Sequence, residues 1–234
     1  MGAAARAMAN FGFHQLTVVA PYEPHWREAR SAVDAEQILE QAQVVDTLAE
    51  AIQDATLVFG TGSMEARKPD QPVLNLAQIG RRIQQELAQA GRIAVVFGPE
   101  KHGLTRDDLS WCHAMIEIPT STLQPSMNLG QAVAVCLYEF SARGRLHPET
   151  PTDRHPLLPY QQDENYDPVA RSADLDRLAK LIEQTMVASN YSPKTMQTAN
   201  QHDLRVAIRR LQFTQKNLRR ALGLFRRVLH ALNR

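Results

Sequence analysis

The sequence predicts an α/β fold built on a parallel sheet, followed by a small all-helical domain. From residue 2 to about residue 146, apolar runs of strand length alternate with helical patterns, the order that produces parallel sheets covered on both faces. Five prolines (Pro148, Pro151, Pro156, Pro159 and Pro168) then punctuate the chain too densely for a helix and mark 147–170 as a linker. Beyond them, 171–234 carries leucines at helical spacing with arginines on the other faces.

Residues 2–12 have the composition of a helix and end at Gly12, a natural helix-stop residue. Residues 16–20 read as a buried strand stopped by Pro21. Residues 26–41 predict one amphipathic helix with Ala29, Ala32, Val33, Ile38 and Leu39 inward. Val44-Val45 is a short strand, and Thr47 caps a helix over 48–54. Residues 57–59 form a strand that runs into Gly60-Thr61-Gly62-Ser63; these small residues make either a plain turn or a place where a ligand approaches backbone amides. Residues 64–71 are polar, and 79–90 predict a crossover helix closed by Gly91.

The next stretch carries the candidate chemistry. A strand over 93–97 breaks at Gly98-Pro99, and Thr105 with Asp107 and Asp108 opens a short helix. A second strand over 115–118 stops at Pro119, and after a polar loop a mostly apolar helix begins near Asn128. Two strands that both end in Gly/Pro-rich loops make a ligand crevice of the kind that open α/β sheets form outside their strand ends. In the tail, Ser172 with Asp174 opens a helix to about residue 189. Leu204, Ile208, Leu211, Leu218, Leu222, Phe225, Leu229 and Leu232 describe one long helix or two packed ones.

Composition excludes several classes. No apolar run approaches the roughly 20 residues that a bilayer requires, and the N-terminus has no secretory apolar region. Cys112 and Cys136 sit in apolar segments without metal-ligand spacing, the pattern of reduced core thiols in a cytoplasmic protein. There is no P-loop, zinc signature or GxSxG elbow, and His102 and His113 lack partner spacing, so both are expected to be structural. The net charge of +1 hides an asymmetry: residues 191–234 hold ten Lys/Arg against one acid, whereas the other 190 hold 16 basic and 24 acidic residues. A basic tail on an acidic body points to a polyanion or to a solvated helix face.

Three ordered segments carry a family resemblance. Gly2-Ala3-Ala4-Ala5-Arg6-Ala7-Met8 with Asn10-Phe11-Gly12, then Phe97-Gly98-Pro99-Glu100 with Gly103-Leu104, then Ile118-Pro119 followed by Ser126-Met127-Asn128-Leu129, resemble motifs 1 to 3 of the SPOUT methyltransferases, specifically the TrmH-like branch of RNA 2'-O-ribose methyltransferases. The likeness spans about residues 2 to 141. It implies a parallel-sheet SPOUT fold with a deep C-terminal trefoil knot over 1–146 and a basic helical tRNA-binding extension over 171–234. It also implies S-adenosylmethionine as methyl donor with no metal, and a homodimer. The implied substrate is tRNA at nucleotide 32 of the anticodon loop; a ribosomal RNA substrate, or an RNA-binding module without turnover, are the alternatives. Members of the family carry a further strand and loop before the first helix, so a first strand is expected upstream of Met1.

Carried over by position, the donor pocket comprises Thr61, Gly62 and Ser63, then Gly98 and Glu100, then Ile118, Pro125, Ser126 and Met127. Met127 stands where the family usually has leucine, a nearly volume-conserving exchange. Gly98 is expected to admit the ligand to its loop. Arg6 is the implied catalytic residue, with Ser126 and Asn128; Asn128 is equally explained as a helix cap. Glu100 is expected to pair with Arg6 or Arg67 across the crevice. Arg67, Arg205, Arg209, Arg210, Arg219 and Arg220 are the expected RNA contacts.

Overall fold

The computed structural model describes residues 1–63, 69–146, 167–191 and 196–234, the side chains of 142–146 excepted. Its centre is a four-stranded parallel sheet of β3 (Leu57–Thr61), β4 (Val73–Asn75), β5 (Ile93–Val96) and β6 (Ala114–Glu117), ordered β4-β6-β3-β5. β1 (Thr17–Val19) and β2 (Gln43–Val45) pair in parallel as a separate two-stranded sheet. Strand β4 has no counterpart in the expected elements, because it is three residues long and only Leu74 among them turns away from solvent. The helix after it, α4 (Leu76–Ala88), begins earlier than the periodicity suggested. Asn75 and Gln78 form a reciprocal capping box there, with bonds of 2.9 and 3.0 Å.

The helix expected over 26–41 is not continuous. Only a 3-10 turn at Trp26–Glu28 and a short α2 (Glu36–Glu40) form, because Asp34 adopts left-handed backbone at φ 59° and turns the chain. The irregular segment between them places Ala32 and Ala35 in the core. Arg27 closes it by donating to the carbonyls of Leu39 (3.2 Å) and Ala42 (3.1 Å), which a continued helix would have satisfied. A short α3 (Leu48–Ala51) is capped by Thr47 as expected.

Helix α1 (Gly2–Phe11) lies beside α6 (Leu129–Leu146), and the two run in the same direction: Ala3 meets Gly130 near their starts, and Phe11 meets Tyr138 edge-on at 6.0 Å further along. Ala4, Ala5, Ala7 and Met8 pack there with Val133 and Leu137. The small residues that read as a helix former are also what lets these axes come close. Cys112 and Cys136 are free and fully buried, and burial pushes both thiols up to about 12, which leaves them unreactive.

His113, at the entry to β6, extends the sheet. Its N–H donates to the Val58 carbonyl (2.8 Å) and its Nδ1 accepts from the Val58 N–H (3.1 Å). A ring that accepts there cannot carry a proton on that nitrogen. Burial, then Arg209 and Arg82, lower its pKa from 6.5 to about 3. Between those values the unfolded chain binds a proton that the folded one refuses, so His113 contributes stability above pH 6.5 that is lost as pH falls toward 3. Urea unfolding from pH 7 to pH 4 is expected to show this acid loss, and His113→Asn, which retains an acceptor, to reduce the slope. Equal slopes for both proteins would refute the assignment.

The tail forms its own core. Helices α7 (Ser172–Ala188), α8 (Gln197–Arg210) and α9 (Gln215–Leu232) enclose Ala170, Leu175, Leu178, Ala179, Ile208, Leu218 and Leu222. The periodic leucines therefore belong to two packed helices, parted where Gln212 takes φ 46° and Thr214 caps α9. This unit docks on the sheet domain through Ser172 and Ala173, whose N–H groups donate to Ala55 (2.8 Å) and Gln53 (3.1 Å). It docks also through α8 against α5 (Arg106–Ser110). No helix among the described residues is long and apolar enough to cross a membrane.

Candidate active site

All pairings in the main sheet are parallel, so β3, β5 and β6 end at the same edge, and the order β6-β3-β5 makes their exit loops neighbours at the strand spacing of about 4.8 Å. Residues 62–63, 98–100 and 118–127 thus lie side by side. Gly62, Gly98, Ile118, Pro125 and Met127 are half-buried, whereas Ser63 and Ser126 are exposed. Among the described residues the main-chain groups of Gly98 and Ile118 make no backbone hydrogen bond outside the sheet ladders, so the crevice presents donors and acceptors beside apolar surface. Thr120 Oγ1 donates to the Pro125 carbonyl (3.0 Å) and folds the third loop back on itself.

Several expected roles change. Thr61 is a buried strand residue, not a loop residue: its hydroxyl donates to the Val96 carbonyl (3.0 Å) and ties the ends of β3 and β5. Its side chain is committed before any ligand arrives. Gly98 has an internal reason to be glycine. A Cβ there would stand 2.3 Å from both the Gly103 carbonyl carbon and the Leu104 nitrogen, so the loop closes tightly on itself through Gly103 at φ 63°. Gly103, visible in the second motif, is the residue that the site assignment missed.

Glu100 pairs with neither Arg6 nor, among the described residues, any other cation. Its Oε1 accepts from the Asn128 side-chain amide (2.7 Å) and from the Leu129 N–H (3.2 Å), at the start of α6, where a carboxylate is favoured. Asn128 in turn accepts the Gly130 N–H (2.9 Å). Second and third loops are therefore clamped together at the N-terminus of α6. Arg6 is exposed on α1, one turn beyond Ala3, whose Cβ would lie 2.7 Å from a Cβ on Gly130. That contact brings the arginine-bearing helix to the loop that ends in Asn128.

Of the expected RNA contacts, Arg67 lies outside the described residues. Arg205 and Arg209 require a correction. Arg205 bonds Asp107 (2.9 Å) and its guanidinium lies 4.5 Å from the centre of the Trp111 ring. Arg209 is 2% exposed, stacks 5.2 Å from the same ring and donates to the Trp111 carbonyl (3.1 Å). These two hold the tail on the sheet domain, because a Trp face and a carboxylate meet them across a separation of 98 residues that periodicity cannot reveal. Arg210, Arg219 and Arg220 remain exposed.

The model of the SpoU rRNA Methylase family matches residues 1–138. The chain is 39% identical over 140 residues to the tRNA (cytidine/uridine/adenosine-2'-O-)-methyltransferase TrmJ of Pseudomonas aeruginosa, covering 59% of this chain and 54% of that one. That match spans only about half the length of the relative. To the tRNA (cytidine/uridine-2'-O-)-methyltransferase TrmJ of Klebsiella pneumoniae it is 34% identical over 194 residues, covering 82% of this chain and 75% of that protein. The crystal structure of TrmJ from Z. mobilis ZM4 superposes with a TM-score of 0.79 at 26% identity, covering 100% of this chain and 93% of that one. The family match takes in the arginine-bearing helix, all three loops and most of the last helix of the sheet domain, and the chain belongs to the SpoU methylase family.

Proposed function

We propose that this chain transfers a methyl group from S-adenosylmethionine to a ribose 2'-hydroxyl of tRNA, at nucleotide 32 of the anticodon loop. The observation that carries the reading is the meeting of three short-residue loops at adjacent parallel strand ends, beside the helix that bears Arg6. Relatives named as tRNA 2'-O-methyltransferases, similar across the tail as well as the sheet domain, support the choice of substrate.

The pocket fits such a donor: main-chain groups at Gly98 and Ile118 suit a nucleoside's polar edges, and the half-buried Ile118 and Met127 suit its base. When bound, S-adenosylmethionine supplies a methyl already activated on a sulfonium. The chain contributes alignment and charge control. Arg6 stabilises the alkoxide as the 2'-hydroxyl passes its proton to an RNA phosphate oxygen or to water, and its permanently charged guanidinium does so without itself accepting that proton. Ser126 and Asn128 line the approach to it, with Asn128 held in place by Glu100. Residues 1–146 form the catalytic domain, and 171–234 the tRNA-binding extension, reaching RNA through Arg210, Arg219 and Arg220.

The reading includes a knot, a homodimer and a cytoplasmic location. The knot is supported by the position of β6 between β3 and β4, two strands joined directly by residues 62–72. The dimer is supported by Leu123, 92% exposed on the third loop, and by Tyr138, 54% exposed on α6.

Incubation of the full chain with labelled donor and unmodified tRNA transcripts tests the function. Label is expected in an alkali-resistant dinucleotide that maps to ribose 32. Absence of label in tRNA would overturn the reading, and transfer to ribosomal RNA alone would replace its substrate.

A further inference from the structure

A groove of about 470 Å³ runs between α4 and the end of α8, over the first residues of β3 and β6. It lies at the opposite end of the strands from the three loops. Arg81 and Arg82 line it from α4, Arg209 and Arg210 from α8, with the amides of Gln85 and Gln212 among them, and no carboxylate contributes to its walls. Among the described residues no acid lies within ion-pair distance of any of these four arginines. Arg209 is buried and, among the described residues, its Nη2 has no hydrogen-bond acceptor.

Four arginines line one cleft with no carboxylate among them, and a buried donor without an acceptor is costly. Arg209 and Arg210 in the last turn of α8 complement that helix's dipole. Arg81 and Arg82, in the middle of α4, have no such reason to be there. The same positive field is felt on the groove floor, where Arg209 and Arg82 join burial in holding His113 neutral.

We propose that this groove binds phosphodiester groups of the tRNA backbone, as a second anchoring site remote from the methyl-transfer crevice. Extended backbone, not a free nucleotide, is the occupant, because the cations are spread over two elements. From Arg210 a four-residue turn also leads directly into α9, whose solvent face continues with Lys216, Arg219 and Arg220. Guanidinium forks match phosphate oxygens bidentately.

The proposal rests on tRNA being the substrate, and its test separates the two. Binding of an unmodified tRNA transcript is measured against salt for the full chain and for Arg81→Gln/Arg82→Gln/Arg210→Gln, with S-adenosylmethionine affinity read in parallel. The slope of log affinity against log salt is expected to fall by about one for each phosphate contact removed, thus by roughly two to three, while donor affinity stays unchanged. The exposed pair Arg81→Glu/Arg210→Glu serves if the triple variant melts early, and is expected to lose at least as much slope. If the natural chain binds tRNA and the variants keep its slope, the groove proposal falls and the substrate reading stands; ATP binding lost in those same variants would then give the groove to a free nucleotide. If the natural chain binds no tRNA, both fall.

Discussion

Arg6→Ala is expected to slow methyl transfer by about 100- to 1,000-fold, the usual loss when one preorganised donor to a developing oxyanion is removed. Donor affinity is expected to persist, because Arg6 sits on α1 and not on the loops that close the crevice. Stability is expected to hold or rise slightly, since Arg6 is exposed and alanine is the better helix former. Arg6→Lys tests the geometry separately: it keeps the charge but not the planar fork, and is expected to recover only part of the rate. Single-turnover transfer from labelled donor reads the chemical step directly. A rate within about twofold of the natural chain would remove Arg6 from the mechanism.

Gly98→Ala is expected to abolish donor binding and to destabilise the fold by about 1–3 kcal/mol or more, the range for forcing an atom into a packed site. The new Cβ would meet three backbone atoms of Gly103 and Leu104 between 2.3 and 2.8 Å away, and none of them can rotate aside. The loop must therefore shift as a unit. It carries Glu100, whose carboxylate holds Asn128 and the start of α6, so the damage is expected to reach the third loop as well. Thermal melting and donor titration on the purified variant measure both effects. Natural stability with unchanged donor affinity would show that the close approach at Gly98 is not required.

The crevice was legible in the sequence because its makers are local: a strand-length apolar run stopped by Gly98-Pro99, and another stopped by Pro119, can only end at loops. What periodicity could not supply was the partner across space. Residues 26–41 satisfy a helical pattern, yet left-handed Asp34 and the buried Ala32 and Ala35 form a compact irregular segment that keeps Ile38 and Leu39 inward but turns Val33, expected inside, out to 47% exposure. Strand β4 offers too few residues for alternation to register. The charge of the tail was plain, but not its division of labour: Arg205 and Arg209 face Trp111 and Asp107, and Arg210 faces α4. Arg81 and Arg82, on the crossover helix, read as ordinary solvent-facing residues until α8 is seen to close over them.

Calorimetric titration of the full chain with S-adenosylmethionine bears most directly on the claim that these three loops form a donor pocket. One saturable site per chain, lost in Gly98→Ala and retained in Arg6→Ala, is the predicted result. No heat of binding at about 1 mM donor, an affinity weaker than about −4 kcal/mol, would contradict it.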